Sequence, residues 1–204
     1  MVVVTDLAPL VLWTADAEET RLLAEAVAGL CVPGDVVLLA GDLGAGKTTF
    51  AQGFGRALGI VEPITSPTFT LVRQYPLGEL VAVHGAEPIR TLFHADVYRL
   101  DSLGEIVELG LGELVEDGGV ALVEWGDVAE PVLGEGSLAV RLAAGIGAGS
   151  KDQAGGGGGA CDDSADSDDD ADDHRTITIA SCSARWAQRW VSLADALQPW
   201  AVGA

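Results

Sequence analysis

The chain has 204 residues, 49% of them hydrophobic, enough for one sizeable core and a single domain. Its formal net charge of −20, from 31 acidic against 11 basic side chains, repels phosphodiester backbones and argues against direct, autonomous nucleic-acid binding. Three cysteines, Cys31, Cys161 and Cys182, are odd in number and lack CxxC spacing, which argues against a disulfide framework or a zinc site and fits a reducing compartment. The N-terminus lacks the basic and long apolar segments of a signal peptide, and no apolar run is long enough to span a membrane. The cytoplasm is therefore the expected location, without membrane association.

In chain order, residues 9–14 read as a short strand. Asp16, with Glu19 three residues on, offers a capping box to a helix whose apolar face is Leu22, Leu23, Ala26, Val27 and Leu30. After a turn at Pro33-Gly34-Asp35, residues 36–40 form the continuous apolar run expected of a strand buried on both faces. A glycine-rich loop follows at once, then a helix over 48–58 ended by Gly59. Residues 64–70 read as an extended polar loop, and 69–75 with 80–83 as a hairpin around Pro76-Leu77-Gly78-Glu79. A strand is expected over 92–98, a helix over 101–109, and a second buried strand over 120–123 running into Glu124-Trp125. Residues 137–143 and 176–182 alternate as a half-buried strand pair, and 184–197 read as a closing helix. Between the paired strands, residues 145–174 hold five consecutive glycines and an Asp-rich tract. Such a stretch cannot bury apolar surface, and it is expected to be a disordered hairpin tip within one domain spanning 1–204.

Gly41-Asp42-Leu43-Gly44-Ala45-Gly46-Lys47-Thr48 matches G-x-x-x-x-G-K-[ST] without a departure, in the strand–loop–helix context a P-loop requires. Gly44 and Gly46 let backbone N–H groups turn inward around a β-phosphate, and the helix start adds its partial positive charge. Lys47 bridges β- and γ-phosphate oxygens and Thr48 offers its hydroxyl to Mg²⁺, with Thr49 counted in the nucleotide-binding set. A carboxylate is needed beside the metal. Glu124, after four apolar strand residues, is a Walker B pattern with Glu in place of Asp, and Asp96, at the end of another strand, is the other candidate. Guanine readout usually uses Asn-Lys-x-Asp, and the chain contains no Asn, so ATP is favoured over GTP.

The P-loop string, then Ser66-Pro67-Thr68-Phe69-Thr70-Leu71-Val72, then His94-Ala95-Asp96-Val97-Tyr98-Arg99-Leu100, then Val123-Glu124-Trp125, together resemble the bacterial TsaE (YjeE) family. The resemblance implies a P-loop NTPase-like three-layer α/β fold with a mixed, mainly parallel sheet. It implies an Mg²⁺-dependent ATPase of tRNA threonylcarbamoyladenosine synthesis, slow alone, acting on a transferase TsaD with its partner TsaB and meeting tRNA only through that complex. Carried over, Thr48 and Glu124 look like Mg²⁺ ligands, Asp96 like the residue that orients or activates the attacking water, Ser66, Pro67 and Thr68 like a switch element, and Trp125 like a neighbour of the nucleotide. The base is expected near residues 13–20. Ala95, where the family often carries a larger apolar residue, and the length of 145–174 are departures.

Several residues keep two readings. His94 is a partner of Asp96 or an ordinary strand histidine. Arg99 is an arginine finger or, more in keeping with its strand-end place, an ion-pair residue. Tyr98 and Trp125 read first as core aromatics, and Trp186, Trp190 and Trp200 as packing of the last helix. Two other functions fit a P-loop: a small-molecule kinase, which would need an arginine-rich lid that the nine arginines do not form, and a nucleotide-gated scaffold without useful hydrolysis.

Overall fold

The computed structural model describes residues 7–81, 88–100, 102–145, 173–181 and 183–202. Strand β1 (Leu10–Thr14) leads into helix α1 (Ala17–Ala28). Asp16 Oδ1 accepts from Glu19 N at 2.8 Å, and Glu19 Oε2 accepts from Ala15 N at 2.7 Å, so the capping box closes one residue further out than its usual form. Strand β2 (Val36–Ala40) runs into the glycine loop, and helix α2 (Lys47–Ala57) follows. Helices α1 and α2 pack closely: a Cβ on Gly53 would collide with the backbone of Arg21.

Next come β3 (Val72–Val81), β4 (Ile89–Asp96), α3 (Leu103–Glu108), α4 (Leu111–Glu116), β5 (Gly119–Glu124) and α5 (Gly126–Leu133). The chain then forms β6 (Leu138–Ala144), β7 (Arg175–Ala180), α6 (Ala184–Ala187), α7 (Trp190–Leu197) and a 3₁₀ turn at Gln198–Trp200. The seven strands order as β1-β7-β6-β2-β5-β4-β3. Strands β6, β2, β5 and β4 form a parallel core; β3 on one side and β7 on the other run against it, and β1, antiparallel to β7, completes the sheet. This is an α/β fold with a mixed sheet and a mainly parallel centre.

Side chains of the central strands divide between two cores. Val37, Leu39, Val120 and Leu122 pack with α1, α2, α6 and α7, including Phe50, Phe54 and Trp186. Leu38, Ala121 and Val123 pack with α3, α4 and α5 through Ile106, Leu111, Val115 and Ala129. The unbroken apolar runs of β2 and β5 follow from this two-sided burial.

Two expectations need correction. The hairpin around 76–79 does not form. β3 runs through it and pairs with β4, with a register irregularity between Pro76 and Val81, because β3 is an edge strand where proline's missing N–H faces no partner. The closing helix is two helices, broken where Arg189 turns its guanidinium onto Asp35. Helices α4 and α5 carry no strong sequence signal, the latter because Pro131 lies inside it. Of the stretch expected to be disordered, residues 146–172 lie outside the described residues. Its ends, Gly145 and His174, add a rung to the β6–β7 ladder, with Gly145 N donating to His174 O at 2.8 Å. Among the described residues no helix is long and apolar enough to cross a membrane.

Candidate functional site

Three of the four parallel core strands, β2, β5 and β4, end side by side on the same edge of the sheet, where α/β folds bind ligands. The glycine loop leaves β2, Glu124 ends β5 and Asp96 ends β4, and Glu124 and Asp96 are register partners. One cavity of about 390 Å³ opens between them. Leu43, Gly44, Gly46, Lys47, Thr48 and Thr49 line it from the loop and helix α2, Ser66 and Thr68 from the following segment, and Asp96, Glu124 and Trp125 from the strand ends. Gly41, Asp42, Ala45 and Pro67 do not reach its wall. The first two act through their carbonyls, and Ala45 is buried behind the loop.

Gly46 caps α2 at φ 103°, a left-handed conformation that an L side chain resists, so the loop needs glycine there. Lys47 is buried; its Nζ donates to Gly41 O at 2.7 Å and Asp42 O at 2.8 Å and sits 3.8 Å from the centre of the Trp125 ring. Burial holds its pKa below the ordinary lysine value, against an opposing pull from Glu124 and Asp96. Thr48 Oγ1 donates to the Glu124 carboxylate, 3.1 Å from Oε1 and 3.2 Å from Oε2. A hydroxyl and a carboxylate so juxtaposed beside a phosphate loop fit Mg²⁺, which takes one or two protein oxygens and fills its octahedron with water and phosphate. Among the described residues no group of three or more His, Cys, Asp or Glu side chains could hold a metal by itself.

His94 is fully buried with Nε2 3.0 Å from Glu124 Oε1, so it supports Glu124 and not Asp96. Asp96 is held from three sides: Oδ2 accepts from Ser66 Oγ at 2.5 Å and Thr68 Oγ1 at 2.7 Å, and Oδ1 from Tyr98 N at 2.9 Å. Tyr98 is not a core aromatic, whereas Trp125 packs half-buried against the α3–α5 core and also lines the cavity. Tyr98 is 60% exposed, their ring centroids lie 4.7 Å apart, and both line the cavity. Trp125 holds φ 62°, costly for a bulky residue, and it turns the chain sharply after Glu124. Arg99 lies over the exposed Phe69 ring, 4.3 Å from its centre. Trp186 and Trp190 pack in the core and Trp200 against it.

Sequence reasoning did not single out Arg175. It is buried, opens β7, and presses against Gly46. No motif contains it; only the fold brings it to the loop.

The family model for threonylcarbamoyl adenosine biosynthesis protein TsaE matches residues 14–149. A tRNA threonylcarbamoyladenosine biosynthesis protein TsaE from Bacillus subtilis is 45% identical over 98 residues, 48% of this chain and 54% of that protein. The chain thus spans about half the length of this relative. One of the same name from Streptomyces coelicolor is 35% identical over 175 residues, 85% of this chain and 97% of that protein. The crystal structure of Bacillus subtilis YdiB superposes with a TM-score of 0.64 at 31% identity, over 92% of this chain and 95% of that one. A family match over most of the chain and a relative covered almost end to end lead to one identification: the chain belongs to the TsaE family, whose proteins take part in the biosynthesis of threonylcarbamoyladenosine in tRNA.

Proposed function

We propose that this protein is a cytoplasmic Mg²⁺-dependent ATPase that serves threonylcarbamoyladenosine synthesis by acting on a TsaD-like transferase and its TsaB-like partner, and that it meets tRNA only through that complex. The observation that carries this reading is the convergence of Thr48 Oγ1 on both oxygens of Glu124, at the mouth of an intact phosphate loop with Asp96 on the facing strand.

The loop amides and the start of α2 bind the phosphates electrostatically. Lys47 exchanges its two carbonyl partners for phosphate oxygens. Those carbonyls hold the ammonium beside the cradle, so little side-chain ordering remains to be done on binding. Thr48 and Glu124 would hold Mg²⁺, which when bound neutralises charge on the phosphates. His94, with Nε2 carrying the proton, fixes the orientation of Glu124.

Asp96 orients a water for in-line attack on the γ-phosphate. Its Oδ2 already accepts from the Ser66 and Thr68 hydroxyls, which makes the carboxylate a weaker acceptor of a water's proton until the 66–68 segment lets go. That clamp gives a physical reason for slow turnover by the isolated protein and for acceleration by a partner that moves the segment. The net charge of −20 supports indirect contact with tRNA.

The test is reconstitution. Calorimetry should detect ATP and ADP binding that Lys47→Ala abolishes. ATP hydrolysis should rise when the transferase pair is added, and tRNA modification should fail with Glu124→Ala. Absence of nucleotide binding by the wild type would overturn the reading.

A further inference from the structure

The two flanks of the phosphate loop differ in what they offer. Glu124 and Asp96 stand on the β5–β4 side of β2. On the opposite side, β6, β7 and β1 bring one cation to the same edge of the sheet. Arg175 is the first residue of β7, in register with Thr14, the last of β1, and with Ala144 at the end of β6. Thr14 is fully buried on the face that carries α1, where its hydroxyl meets that of Thr20 at 3.0 Å. Cross-strand partners share a face, so Arg175 lies on this face too, against the start of α2. The contact is close: a Cβ built on Gly46 would lie 2.7 Å from Arg175 Nε.

The arginine is 8% exposed, and only its terminal nitrogens are engaged. Nη1 donates to Asp173 O at 2.5 Å and Nη2 to Asp173 Oδ1 at 2.8 Å. Nε is buried and has no hydrogen-bond partner among the described residues. A buried, unpaired donor on a charged group is disfavoured unless an acceptor arrives. Here the donor abuts the N-cap of an 11-residue helix whose first amides form an anion cradle.

We propose that Arg175 is a further nucleotide-binding residue, its Nε–H donating to a phosphate oxygen on the α-phosphate side of a nucleoside di- or triphosphate. This rests on the nucleotide site described above and extends it. Glu124 and Asp96 mark the γ-phosphate end on one flank, and the remainder of the nucleotide leaves on the flank of Arg175, towards the β1–α1 junction. Arg175 therefore grips the part common to ATP and ADP, and the Asp173 pairing orients the guanidinium.

The experiment compares ADP and ATP affinities by calorimetry, with Mg²⁺, for the full-length wild type, Arg175→Gln and Arg175→Lys. It adds NMR of the arginine Nε–H signals, assigned through the variants. Losing one hydrogen bond to a charged group should weaken both nucleotides alike, by about ten- to hundredfold in Arg175→Gln. Arg175→Lys, which keeps the charge and stem but lacks Nε, should fall between. In the wild type, the Arg175 Nε–H resonance should shift and its exchange slow along the ADP titration. Wild-type affinity in both variants, or an Nε–H signal indifferent to saturating ADP, overturns the assignment. The NMR arm decides it even if Arg175→Gln fails to fold. A wild type that binds no ADP refutes the nucleotide site itself, a result distinct from either of these.

Discussion

Asp35, immediately before β2, and Glu124, at the end of the neighbouring β5, are both buried carboxylates at the margins of the parallel core, yet their surroundings differ. Asp35 meets Arg189 through two bonds of 2.6 and 2.9 Å and also accepts from Val32 N at 2.8 Å. Glu124 meets a hydroxyl and an imidazole, and the nearby Lys47 ammonium is turned to main-chain carbonyls. Glu124 also lies in register with a second carboxylate, Asp96. A carboxylate matched by a guanidinium is finished structure. One that lacks a guanidinium partner and stands in register with another carboxylate retains the capacity to take a cation.

The largest effect that would sharpen this contrast is at Asp35. Asp35→Ala leaves Arg189 half-buried without its counter-charge and should lower stability by about 3–5 kcal/mol, read from the denaturation midpoint. Glu124→Gln should do the reverse at the other end. Hydrolysis should fall about 10²–10³-fold, while the unfolding midpoint holds or rises because one of two adjacent negative charges is gone. A Glu124→Gln variant as unstable as Asp35→Ala would break the comparison. Smaller again, Trp125→Ala removes the ring beneath the Lys47 ammonium and should weaken ATP by up to about tenfold, measured by titration.

The smallest effect is a pH slope. Because the folded-state pKa of Lys47 is lowered, the unfolded chain holds a proton that the folded chain has released between that pKa and the ordinary 10.5. Stability should rise with pH across that window relative to Lys47→Met, which lacks the group. Matched slopes for the two proteins would show that burial of the ammonium carries no penalty.

The glycine loop between β2 and α2 was legible because its residue types and spacing are set locally. Glu124 was legible because an apolar run ending in a carboxylate marks the end of a buried strand. The partnership of His94 was not, since which carboxylate a strand histidine meets depends on the pairing of β4 with β5, a long-range event. Tyr98 departs from the core reading because it lies beyond the end of β4, exposed, with its ring against Trp125, which both packs on the core and lines the cavity. Arg175 lies outside every motif, about 130 residues beyond the loop that it touches. The edge strand β3 was misread because proline and glycine signal a turn in isolation, whereas at a sheet margin they are tolerated.

The rung joining Gly145 to His174 has a consequence for how this chain can vary. Strands β6 and β7 are paired right up to that rung, so their register does not depend on how many residues join its two ends. The same doorway suits the splicing-in of a reporter domain. It opens one residue from Arg175, at the edge of the sheet where the glycine loop lies.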